Sequence, residues 1–173
     1  MKRFRRRTYT RQTFWDEFRY LMTHRGDIRR AMRGGLVPAA FRERLMLVVT
    51  EVNGCPYCRA FHSQEALKAG LTPEELQVYL GGAIPEDAPA HEAPALLYAR
   101  HWAEQNAQPD PEATRRLFDV YGAETAQAIL TALRLIRMGN LLGNTWDYLL
   151  YRLSFGRLGL RQDEARYAPP MLQ

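Results

Sequence analysis

Apolar residues recur at helical spacing along most of this chain, and no stretch of useful length alternates at the period of a strand. Residues 11–33 carry Phe14, Phe18, Leu21 and Met22 between arginines and acids, which predicts one helix ended by Gly34-Gly35 and Pro38. A second helix is expected from about Ala39 to Glu51. Its later half, Leu45 to Val49, is apolar throughout, so it should be buried on most sides. Glu43 precedes that run and Glu51 follows it. A buried carboxylate is costly unless paired or used, so each is either functional or on an exposed edge.

Asn53-Gly54 reads as a turn into a third helix, which Gly70 closes after the helix-forming run Ala60 to Ala69. Thr72-Pro73-Glu74-Glu75 reads as a capping box that opens a short helix ending near Gly81-Gly82. Residues 83–94 form a loop. The next helix, from about Pro94 to Asn106, should bury Leu96, Leu97, Ala99 and Trp102. A helix through Leu117 and Val120 ends at Gly122. Residues 123–153 form the longest helical stretch, with Ile129, Leu133, Ile136, Leu141 and Leu142 as its apolar members. Gly139, Asn140, Gly143 and Asn144 interrupt that stretch, either for close helix packing, the commoner reason, or to line a pocket. The expected fold class is all-α, a single-domain helical bundle.

The 173 residues suffice for one domain with a sizeable core. No apolar run approaches the length of a membrane span, and no apolar segment follows the basic start as in a secretion signal. The expected location is therefore cytoplasmic. The net charge of +5 is mostly arginine, densest from Arg3 to Arg11. Without a recognition motif, residues 1–12 read as a solvated arm, or one packed on a neighbouring subunit, rather than as a nucleic-acid contact. The helical domain is expected over residues 13–160, with an irregular tail over 161–173.

The only two cysteines change this picture most. Cys55 and Cys58 stand three apart, with His62 four residues further on. On a helix these spacings put all three on one stripe. Cys55 falls at the helix N-terminus with Pro56 in the first turn, where unpaired N–H groups and the helix dipole favour a thiolate. Position alone thus favours Cys55 as nucleophile, whereas a charged His62 favours Cys58. Thioredoxin-like chemistry would need a strand before the pair. Haem attachment would need histidine at position 59, which is arginine. Zinc would need an open catalytic position or a fourth ligand, for which His24, His91 and His101 are the available histidines. Two buried structural thiols with a core histidine form the remaining alternative to thiol redox catalysis.

Residues Asn53-Gly54-Cys55-Pro56-Tyr57-Cys58-Arg59-Ala60-Phe61-His62 resemble the N-G-C-x-x-C-x-x-x-H signature of the alkylhydroperoxidase D and carboxymuconolactone decarboxylase superfamily. Glu43, twelve residues before Cys55, matches the glutamate of that pattern, and residues 70–75 resemble the helix–turn–helix that follows it. The resemblance is specific over about residues 43–80. It implies an all-α bundle of the alkylhydroperoxidase D-like type and a peroxidase or disulfide oxidoreductase activity on hydroperoxides. Cys58 would be the peroxidatic cysteine and Cys55 the resolving one. His62 would relay the proton, and Glu43 would orient His62. Tyr57 fills a place often taken by histidine or tyrosine, although a regular helix points it away from the sulfurs. Glu51 is kept in reserve. The resemblance calls for no cofactor or metal. It implies a dithiol reductant (a lipoyl or thioredoxin-like protein) or a peroxidase partner, and a homo-oligomer, trimer or hexamer. The alternatives are decarboxylase-type chemistry, whose members typically do without the cysteine pair, and a redox-sensing or nucleic-acid-binding module.

Overall fold

The computed structural model describes residues 3–162; most of the expected tail, residues 163–173, lies outside the described residues. Seven helices and no strand are found among them: α1 (Arg11–Thr23), α2 (Arg25–Arg33), α3 (Ala39–Asn53), α4 (Pro56–Lys68), α5 (Pro73–Leu80), α6 (Ala93–Glu104) and α7 (Pro111–Leu153). The all-α class expected from periodicity is the class observed.

Helix α3 is the centre of the bundle. Its run Leu45 to Val49 is buried on every side, as its apolar density requires, and it packs against α4, α5, α6 and α7. From α7, Ile129, Ala132, Leu133 and Ile136 complete the same core. Gly54 ends α3 at φ 74°, a left-handed conformation that glycine adopts without strain, and so turns the chain directly into α4.

Several expectations need correction. The single helix over residues 11–33 is two, broken at His24 (φ −113°, ψ 30°), where Thr23, His24 and Gly26 are poor helix formers. The Thr23 hydroxyl bonds the Arg19 carbonyl at 2.9 Å, and the His24 ring stacks on Tyr20. The apolar stripe of α1 is not its buried side: Phe14, Phe18 and Met22 are exposed, and α1 buries Glu17 instead. That carboxylate accepts from Arg137 of α7 at 2.8 Å, so an ion pair joins α1 to the body. Leu97, Val120 and Leu142 also face outward.

The capping box of α5 is only half formed. Thr72 accepts from the Glu75 N–H at 3.1 Å, but the Glu75 carboxylate takes Arg44 at 2.6 Å instead of returning to the N-cap. Gly122 does interrupt the last helix, at φ 72° and ψ 167°, where the glycine signal put a helix end. The N-terminal residues are not a solvated arm throughout. The Arg6 side chain is fully buried against α7, and Arg7 donates to the Glu104 carbonyl at the end of α6. No helix among the described residues is long and apolar enough to cross a membrane.

Candidate functional site

Because Gly54 turns the chain so tightly, Cys55 becomes the N-cap of α4 and Pro56 its first residue. The Cys55 sulfur takes the capping role usually filled by an oxygen and accepts the Cys58 N–H at 3.3 Å. One turn of helix then brings the two sulfurs to 2.7 Å, with the Cys55 thiol donating to Cys58. Both thiols are free. Cys55 is 1% exposed, whereas Cys58 opens onto a cleft of about 610 Å³ between α2, α3, α4 and α7.

The surroundings make the two thiols unequal. Cys58 is lowered to about 7, first by the hydrogen bond from Cys55, then by a hydrogen bond from Asn140 and the nearby His62, against the opposing effect of burial. Cys55 is pushed far upward, because it is the donor to Cys58 and because it is buried. The helix terminus alone favours Cys55, but its donated hydrogen bond to Cys58, followed by desolvation, outweighs a partial dipole charge. The more ionised sulfur is thus also the more accessible one. Cys58 therefore carries more thiolate at neutral pH than an ordinary thiol does.

His62 lies on the same stripe, and its Nδ1 meets Glu43 Oε2 of α3 at 2.7 Å. Glu43 is buried but paired, so burial of its charge is compensated. A histidine that donates Nδ1–H to a carboxylate presents Nε2 as its proton-accepting atom. His62 and Glu43 line the same cleft as Cys58.

The structure therefore brings Cys55, Cys58, His62 and Glu43 together. It sends the Tyr57 hydroxyl elsewhere: that group donates to Asp147 Oδ1 of α7 at 2.7 Å, and the ring forms part of the cleft rim. Glu51 lies behind Cys55, 3.3 Å from Arg59 Nε, and faces a small separate hollow. The histidines considered for zinc sit apart. His24 stacks on Tyr20, His91 lies beside Glu92, and His101 accepts from the Asp110 N–H. Among the described residues no cluster of three metal-ligating side chains occurs.

Helix α7 supplies residues that motif spacing did not reveal. Gly139 faces Cys58 and Gly143 faces Cys55, where an added Cβ would lie 3.6 Å and 2.8 Å from the respective sulfurs. Between them, Asn140 donates to Thr50 at 3.1 Å and accepts from Asn53 at 3.1 Å, fixing the amide that also reaches Cys58. Asn144 donates to the Asn53 carbonyl at 2.8 Å. The glycine–asparagine interruptions of the long helix were the available signal, and they serve packing and pocket lining at once.

The family model described as the carboxymuconolactone decarboxylase family matches residues 16–105. The chain belongs to that family. The match agrees with the superfamily resemblance seen around the cysteines and runs from within α1 through α6, including Glu43, Cys55, Cys58 and His62. It stops before α7, so the α7 wall of this carboxymuconolactone decarboxylase family site and the N-terminal residues packed on it lie outside the match. No curated protein and no solved structure is matched by the chain.

Proposed function

We propose that this member of the carboxymuconolactone decarboxylase family is a thiol peroxidase or disulfide oxidoreductase that works through a Cys55–Cys58 disulfide. One observation carries the reading: two free thiols 2.7 Å apart, of which the more acidic opens onto a cleft beside a His62–Glu43 pair. Cys58 passes its proton to His62, the thiolate attacks the terminal oxygen of a hydroperoxide, the O–O bond breaks, and the leaving alkoxide takes that proton back from His62. The Cys55 thiol then attacks the Cys58 sulfenic acid, forming the disulfide and releasing water. An external dithiol, on a lipoyl or thioredoxin-like protein, returns both thiols and is itself oxidised to a disulfide.

Decarboxylase-type chemistry has no comparable support, because it leaves the dithiol without a task. Self-association belongs to the same reading. Phe14, Trp15 and Phe18 on α1, with Trp146 and Leu149 on α7, are exposed apolar side chains of the kind that subunit contacts cover. The test is thiol titration with intact mass before and after one equivalent of hydroperoxide, on wild type and on Cys55→Ser and Cys58→Ser. Wild type should lose two thiols, and a trapped sulfenic acid should appear only in Cys55→Ser. Thiols inert to peroxide would remove the proposal.

A further inference from the structure

Arg6 is remote in sequence from the cysteines and lies outside the family match, yet its guanidinium is fully buried behind them. It donates to Asp147 Oδ2 at 2.6 Å, to Asn144 Oδ1 at 3.2 Å and to the Gly159 carbonyl at 2.6 Å. Each of the two side chains it holds on α7 continues to a residue flanking Cys55. Asn144 donates to the Asn53 carbonyl at 2.8 Å, two residues before Cys55. The other oxygen of Asp147 accepts the Tyr57 hydroxyl at 2.7 Å, two residues after it. Between those anchors the Cys55 sulfur and the Tyr57 ring rest together on Gly143.

We infer that Arg6, Asp147 and Asn144 form a clamp that positions Cys55 for disulfide formation, with the Tyr57 hydroxyl as one of its two attachments. None of the three touches a sulfur in the contacts described, so all act as positioning residues. A charge-assisted hydrogen bond in a buried site is stronger than a neutral one and holds its geometry tightly. Holding Cys55 beside Cys58 in the dithiol means that little freedom remains to be lost when the S–S bond forms. The use of that bond in turnover rests on the activity proposed above, but the positioning does not.

The test is therefore run without peroxide. The Cys55–Cys58 disulfide is equilibrated with reduced and oxidised dithiothreitol in wild type, Tyr57→Phe, Arg6→Leu and the double variant. In the same samples, the pH midpoint of Cys58 alkylation and the melting temperature are recorded. Tyr57→Phe removes one hydroxyl from a half-exposed ring, so its folding is not at issue. Each single change should lower the equilibrium constant for disulfide formation by about tenfold, the size of one lost charge-assisted hydrogen bond. The two should combine less than additively, because they act through the same Asp147. The Cys58 midpoint should move upward in the same variants, because its leading cause is the hydrogen bond from the Cys55 that the clamp positions. An unchanged constant in Tyr57→Phe and Arg6→Leu overturns the clamp, as does a fall that only tracks the melting temperature. If wild type forms the disulfide but consumes no peroxide, the activity proposal fails and the clamp stands.

Discussion

Nδ1 of His62 lies 2.7 Å from Oε2 of Glu43, a bond from α4 back to α3 that fixes which imidazole nitrogen is left to face the cleft. Glu43→Gln keeps the shape and removes the charge. We predict a fall of about tenfold or more in the rate of Cys58 oxidation by hydroperoxide, and about a hundredfold for His62→Ala, the ordinary range for a positioned proton-transfer group. Stopped-flow peroxide consumption measures both. Full rates in Glu43→Gln would show that the pair is structural.

The ionisation of Cys58 has a definite sign. A thiol lowered to about 7 is thiolate above that pH and loses reactivity as pH falls through it. Iodoacetamide should therefore alkylate Cys58 with a single midpoint near 7. In Cys55→Ala the leading stabilising contact, the Cys55 hydrogen bond, is gone, and the midpoint should move upward. A midpoint that stays in place would assign the shift to His62 and Asn140 instead.

Two glycines of α7 should respond differently to alanine. A Cβ at Gly143 would meet the Cys55 sulfur at 2.8 Å and the Tyr57 ring at 3.1 Å, whereas one at Gly139 meets Cys58 at an ordinary 3.6 Å. Gly143→Ala should cost about 1–3 kcal/mol through overpacking, and Gly139→Ala little. Chemical denaturation of the reduced proteins compares them directly.

Arg44 joins α3 to Glu75 of α5 at 2.6 Å and to Glu92, at the start of α6, at 3.1 Å, largely out of solvent. Arg44→Met should destabilise by about 3 kcal/mol, because two carboxylates lose their partner. Equal stability in urea would mean that those carboxylates find another partner.

The exposed aromatics of α1 bear on assembly. Trp15→Glu combined with Phe18→Glu should shift the mass measured by light scattering towards the monomer, while far-ultraviolet dichroism keeps its helical form. A wild type that is already monomeric at micromolar concentration would remove self-association from the proposal.

Much of this protein could be read from local rules. Helical periodicity, the Gly54 turn and the three–four spacing of Cys55, Cys58 and His62 depend only on neighbours in the chain. For that reason the all-α class, the dithiol at a helix start and the stripe that carries His62 could be derived before any packing was known. The family pattern added Glu43 through a fixed offset.

Tertiary structure decided the rest, because it depends on residues far apart in sequence. The hydrogen bond from Cys55 to Cys58, with the burial of Cys55 beneath Gly143, and not helix position, makes Cys58 the more acidic sulfur. Packing also sets the exposed side of α1: Glu17 faces the body and pairs with Arg137, while Phe14 and Phe18 face outward. Arg6 looked like one more surface arginine among many. Only the fold places it 2.6 Å from Asp147, 141 residues away, where desolvation turns an ordinary charge into a structural bond.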